Sequence, residues 1–131
     1  MIGLDTNVLM RYIAQDDEAQ SRRATKFIEK ECSPERPGFI GIITFAELVW
    51  VGESCYGATQ ADIIKLVRRL LGTKQLVIQD AETVWQALRL YEAGQADFAD
   101  CLVSSIAKSQ GCQTTVTFDE AAAKAGMTLL R

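Results

Sequence analysis

Short apolar runs that alternate with amphipathic stretches along all 131 residues predict an α/β fold with a mainly parallel sheet of about five strands. Two further observations support it. Strand-like runs are joined through helix-like ones rather than through tight hairpin turns, so the connections are crossovers that place helices on both faces of the sheet. A carboxylate also recurs where a strand-like run gives way to a helix: Asp5, Glu47, Asp100 and Asp119 all lie at or just after such a junction.

The strands are expected near residues 2–5, 39–43, 75–79, 113–118 and 127–130. The helices are expected near 6–14, 17–31, 44–56, 59–71, 80–94, 98–110 and 120–126. Met1-Ile2-Gly3-Leu4 forms the first apolar run and Phe39 to Ile43 the second. In the helix of 80–94, Val84, Leu88 and Tyr91 share one side while Glu82, Gln86 and Arg89 occupy others, so it should cover a sheet face. Ile63, Leu66, Val67 and Leu70 give the stretch 59–71 the same character.

The chain length suits a single domain over residues 1–131. The only evident local break is Cys32-Ser33-Pro34-Glu35-Arg36-Pro37-Gly38, which holds both prolines, and there is no repeat or low-complexity tract. No apolar stretch approaches the ~20 residues that span a bilayer, and Asp5 interrupts the N-terminus before a signal-peptide core can form, so a cytoplasmic protein is expected. Cys32, Cys55, Cys101 and Cys112 lack C-x-x-C spacing and are expected to be buried free thiols.

The chain contains no histidine. That removes the usual general base of serine and cysteine nucleophile enzymes and of metal-free ribonucleases, so a hydrolase built on this sequence must work with carboxylates and a metal. The net charge is −3, but setting the four junction acids aside leaves 13 of the 17 acidic residues against 14 basic ones. The basic stretches Arg22, Arg23, Lys26, Lys30 and Lys65, Arg68, Arg69 are then available either as solvated helix faces or as phosphate contacts.

Each junction acid has a plain structural alternative. Thr44-Phe45-Ala46-Glu47 has the pattern of a capping box, Asp97-Phe98-Ala99-Asp100 is a weaker version of it, and Asp5 and Asp119 are well placed as N-caps. A cap is worth only ~0.5–2 kcal/mol, however, and Ser, Thr or Asn would serve as well. Acids at the carboxyl ends of parallel strands are expected to border one crevice, where their mutual repulsion is best offset by a divalent cation. An all-oxygen donor set favours a hard ion, magnesium or manganese.

Leu4-Asp5-Thr6-Asn7-Val8-Leu9, Thr44-Phe45-Ala46-Glu47-Leu48, Asp97-Phe98-Ala99-Asp100-Cys101-Leu102 and Thr115-Val116-Thr117-Phe118-Asp119 resemble, in order and spacing, the signature segments of PIN-domain nucleases, especially VapC-type toxins of bacterial toxin–antitoxin pairs. The resemblance spans nearly the whole chain and implies a three-layer α/β sandwich. It makes Asp5, Glu47, Asp100 and Asp119 the catalytic, metal-binding quartet, adds Asp97 as an outer acid, and gives Asn7, Thr44 and Thr117 supporting places. It further implies a magnesium- or manganese-dependent endoribonuclease acting on RNA, a VapB-like antitoxin partner and a homodimer. Two alternatives stand beside it. One is a phosphohydrolase of haloacid-dehalogenase type, disfavoured because Asn7 stands where that family's opening motif has a second Asp. The other is a non-catalytic module that uses its acidic crevice to hold a basic peptide or a cation.

Overall fold

In a computed structural model describing residues 1–131, the chain forms two compact units, Met1–Gln79 and Asp80–Arg131. The first contains β1 (Ile2–Gly3), α1 (Thr6–Ala14), α2 (Glu18–Lys26) with a π-helical continuation (Phe27–Glu31), β2 (Gly38–Ile40), α3 (Ile42–Tyr56), α4 (Gln60–Leu71) and β3 (Leu76–Ile78). The second contains α5 (Ala81–Ala93), α6 (Phe98–Ser109), β4 (Val116–Thr117), α7 (Glu120–Ala123) and β5 (Thr128–Leu129). All strand pairs are parallel, as expected of an α/β chain. They form a three-stranded sheet ordered β1-β2-β3 in the first unit and a β4-β5 pair in the second.

In the first unit β2 is the central strand, with Gly38 opposite both Ile2 and Leu76. A Cβ at Gly38 would run into the side chains of Leu4 and Leu76, so glycine here lets those two leucines close over the strand. Leu9, Ile28, Ile40, Phe45, Leu48, Ile63, Val67 and Leu70 are fully buried in this unit. Thr59 and Asp62 form a true capping box at the start of α4, each side chain bonding the other's backbone N–H. Arg69, near the end of α4, stacks over the Tyr12 ring at 4.9 Å, while the Tyr12 hydroxyl donates to Glu29 at 2.9 Å. Gly57, at φ 64°, ends α3 in the left-handed region where a side chain would be strained.

The second unit is built on the α5–α6 pair. Val84, Ala87 and Leu88 are fully buried, and Tyr91 meets Phe98 edge-to-face with ring centroids 5.6 Å apart.

Three expectations need correction. The strands are two or three residues long rather than four to six. Ile42 and Ile43, β-branched and read as strand, open α3 instead, because Gly41 turns the chain and the Gln79 side chain accepts the Ile42 N–H at 2.9 Å. That capping group comes from 37 residues away, where local propensity has no view of it. Finally, all four cysteines are free, but only Cys32 and Cys101 are buried; Cys55 and Cys112 are exposed.

Candidate active site

In the first unit, β1 delivers Asp5 to the start of α1. Asp5 occupies the N-cap with φ −84° and ψ 160°, yet its side chain makes no capping bond and is exposed. Its neighbour Thr6 turns inward, is buried, and donates its hydroxyl hydrogen bond to Oε1 of Glu47 on α3. The capping box expected at Thr44 and Glu47 is absent. With the helix starting at Ile42, Thr44 is already in its first turn, half-buried, and Glu47 lies beyond reach of an N-cap role. Asn7 is exposed in the first turn of α1.

In the second unit, Asp97 is the N-cap of α6 without a side-chain capping bond, and Asp100 lies in the first turn of that helix. Asp119 does act as a cap: its Oδ1 accepts the Ala121 N–H at 2.9 Å, while its own N–H donates to Thr117 Oγ1 at 3.0 Å. The Thr117 hydroxyl therefore fixes the backbone turn that presents Asp119. Burial is the main influence pushing the Asp100 carboxyl above its ordinary range, followed by the negative charges of Asp97 and Asp119. The same surroundings push the buried Cys101 thiol up to about 11, burial again first, then Asp100 and Asp97.

The sign of the Asp100 shift gives a stability test. A carboxyl whose folded pKa lies above its unfolded value favours the folded state below the unfolded pKa and loses that benefit as pH rises through the folded pKa. At neutral pH the ionised group is therefore a cost to the folded state. Asp100→Asn is expected to raise the melting temperature of metal-free protein by a few degrees at pH 7, with the gain vanishing below the ordinary carboxylate range. Melting curves from pH 3 to 8 check this, and a gain that grew toward acid pH would reverse the assignment.

None of Asp5, Glu47, Asp97, Asp100 and Asp119 takes part in the salt bridges that join Arg11 to Asp16 and Arg22 to Glu18. Within neither unit do three or more carboxylates or thiols gather into a ready-made metal cluster. Each unit instead carries acids left open to a cation: Asp5 beside the Thr6–Glu47 pair in one, and in the other Asp100 with Asp97 and Asp119, whose charges reach it. Thr6 is the participant that the sequence pattern does not single out. Its signal is a polar residue on the stripe that Leu9 and Met10 bury.

The basic stretches are partly engaged elsewhere. Arg22 pairs with Glu18 at 2.9 Å and Arg69 lies over Tyr12.

A parallel α/β chain that leaves acids without cation partners near the starts of α1, α6 and α7 has the character of a nuclease, and comparison with known families agrees. The PIN domain model matches residues 2–126, and the chain belongs to the PIN domain family. It is also similar to a VapC ribonuclease of Aquifex aeolicus (strain VF5), at 28% identity over 123 residues, covering 94% of this chain and 90% of that protein. No helix is long and apolar enough to cross a membrane.

Proposed function

We propose that this PIN-domain chain is a divalent-metal-dependent endoribonuclease and the toxin of a type II toxin–antitoxin pair. The observation that carries the reading is the set of junction acids that neither pair with a cation nor, Asp119 apart, cap their helices. The similarity to a VapC ribonuclease supplies RNA as the substrate class.

The donor set fits a hard cation, since all five side chains offer carboxylate oxygen. Asp5, Glu47, Asp100 and Asp119 would hold it, with Asp97 as an outer acid, and magnesium or manganese suits them best. When bound, such an ion would supply positive charge to the phosphodiester and lower the pKa of a water beside it. The chain's own residues do the rest. Thr6 orients Glu47, and a hydrogen bond to a charged acceptor of this kind is worth ~1.5–3 kcal/mol. Thr117 sets the turn at Asp119.

Thr6→Val preserves shape and burial but removes the donor. It should leave melting within a few degrees of wild type and lower RNA cleavage roughly tenfold, the equivalent of ~1.4 kcal/mol. Unchanged cleavage would show that Glu47 needs no such support.

The same reading includes a protein partner. Ile43 and Trp50 lie on the same exposed side of α3 as Glu47, 84% and 64% exposed, and apolar surface around an acid suits a partner that brings an arginine. A small VapB-like antitoxin encoded beside this gene, and a homodimer of this chain, are the partners proposed. Co-expression with the adjacent reading frame should recover a complex with suppressed cleavage. Recovery of this chain alone, with full activity, would count against the antitoxin.

The first test of the whole proposal is cleavage of single-stranded RNA with magnesium, with manganese and with a chelator. Cleavage that persists in the chelator, or is absent with both metals, overturns it.

A further inference from the structure

The second unit contains a concave pocket of about 610 Å³ between the later turns of α5 and α6 and the segment leading into β4. Arg89 and Lys108 line it with Gln86, Ser104 and Gln113, and Leu90 contributes an apolar wall. No carboxylate lines it, although the chain as a whole carries more acids than bases. Arg89 and Lys108 are exposed and take no part in the Arg11–Asp16 and Arg22–Glu18 salt bridges.

The contrast with the first unit decides what this means. There, a pocket of about 690 Å³ is lined by Arg22, Lys26 and Lys30, but Asp16, Glu18 and Glu29 line it too, so its charge is compensated from within. That pocket has no reason to select an anion. The α5–α6 pocket has two uncompensated cations, amide and hydroxyl groups able to bond a heterocycle or ribose, and a volume within the ~300–1,000 Å³ of small-molecule sites.

We infer that the α5–α6 pocket binds a nucleoside monophosphate unit, with its phosphate on Arg89 and Lys108 and its base or sugar against Gln86, Ser104 and Gln113. The unit is either part of an RNA strand or a free nucleotide. The strand source rests on the nuclease reading; the pocket itself does not. For a strand, the pocket is a second holding point remote in sequence from Asp5 and Glu47, and it raises affinity without taking part in the chemistry.

Cys112 makes the inference directly testable, because this exposed thiol lines the pocket whereas the exposed Cys55, on α3, does not. The full chain is treated with a maleimide in the presence of a chelator, and the alkylation rates of Cys112 and Cys55 are followed by peptide mass spectrometry. The probes are a single-stranded oligoribonucleotide, adenosine monophosphate and inorganic phosphate. Selective protection of Cys112 is expected, at least threefold at saturation, with Cys55 as the internal reference. Protection by the oligoribonucleotide at tenfold lower nucleotide concentration than by the monophosphate identifies a strand site, and equal potency identifies a free-nucleotide site. The Arg89→Gln/Lys108→Gln double variant should abolish protection by every probe. In the strand case it should also make the slope of log affinity against log salt shallower by about 0.7 per lost contact. Protection of neither thiol, equal protection of both, or protection that survives the double variant would overturn the inference. Because no cleavage is measured, a chain that protects Cys112 yet never cuts RNA would retain the pocket and lose the nuclease reading. A chain that cuts RNA without protecting Cys112 would do the reverse.

Discussion

Asp5→Asn is expected to lower RNA cleavage by roughly two orders of magnitude or more while leaving the fold intact. Asp5 stands at the N-cap of α1 but makes no capping bond there, so asparagine removes only charge. Loss of one hard ligand takes away several kcal/mol of transition-state charge stabilisation, and each ~1.4 kcal/mol is tenfold in rate. Asp119→Asn sharpens the test, since Asp119 does cap α7 and asparagine caps as well as aspartate. Both variants should melt within a few degrees of wild type without metal. Manganese at about 100 times its dissociation constant should stabilise the wild-type protein by ~2.7 kcal/mol through binding to the folded state alone, and should do little for either variant. Cleavage assays and melting curves with and without manganese make the comparison. Variants that lost stability yet kept wild-type cleavage and metal response would show these acids to be helix caps.

Phe98→Ala should be the most destabilising single change in the second unit. The ring is 1% exposed and meets Tyr91 edge-to-face, at the first residue of the helix that carries Asp100. Truncating a buried phenylalanine costs ~3–5 kcal/mol, a large share of the ~5–15 kcal/mol that holds a typical domain together. The melting temperature should fall on the order of 10–20 °C. Phe118, also beside a junction acid, is 81% exposed, and Phe118→Ala should change it by no more than a few degrees. Equal losses at the two positions would mean that the packing of α6 is misassigned.

The helices were the most legible part of the sequence, because burial periodicity and end signals are local. Ile63, Val67 and Leu70 are buried on one side of α4 as their spacing requires, and Leu66 beside them is half-buried. The strands were legible in place but not in length: ladders of two or three residues are fixed by pairing partners, which no window of sequence contains. The four-residue pattern at Thr44 to Glu47 shows the same limit from the other side. Threonine followed three residues later by an acid is a capping box at Thr59 and Asp62, where the helix begins, and is none at Thr44, where the Gln79 side chain has moved the start forward. Asp5 and Asp119 were found because strand ends mark them, whereas Asp100 follows α5 rather than a strand and Glu47 lies inside α3. The Thr6–Glu47 bond was not found, because it joins residues 41 apart. Arg89 and Lys108, 19 positions apart in sequence, were equally invisible as a pair, whereas the conspicuous run from Arg22 to Lys30 proved to be balanced by nearby acids.

The π-helical turn from Phe27 to Glu31 bears on how the first unit fits its connecting chain to its sheet. It closes with the Cys32 N–H on the Phe27 carbonyl at 2.8 Å, a five-residue step where α2 takes four. A wider turn lodges an additional residue without lengthening the helix in proportion, and the buried Ile28 and Cys32 remain on the inner side while Glu29 still reaches Tyr12. The span between Ala24, seated in the core, and Gly38, locked between two strands, is thus filled by slightly more chain than a regular helix would consume. The surplus is absorbed as a bulge in the helix wall, which keeps both Ile28 and Cys32 in the core at the point where the chain leaves the helix.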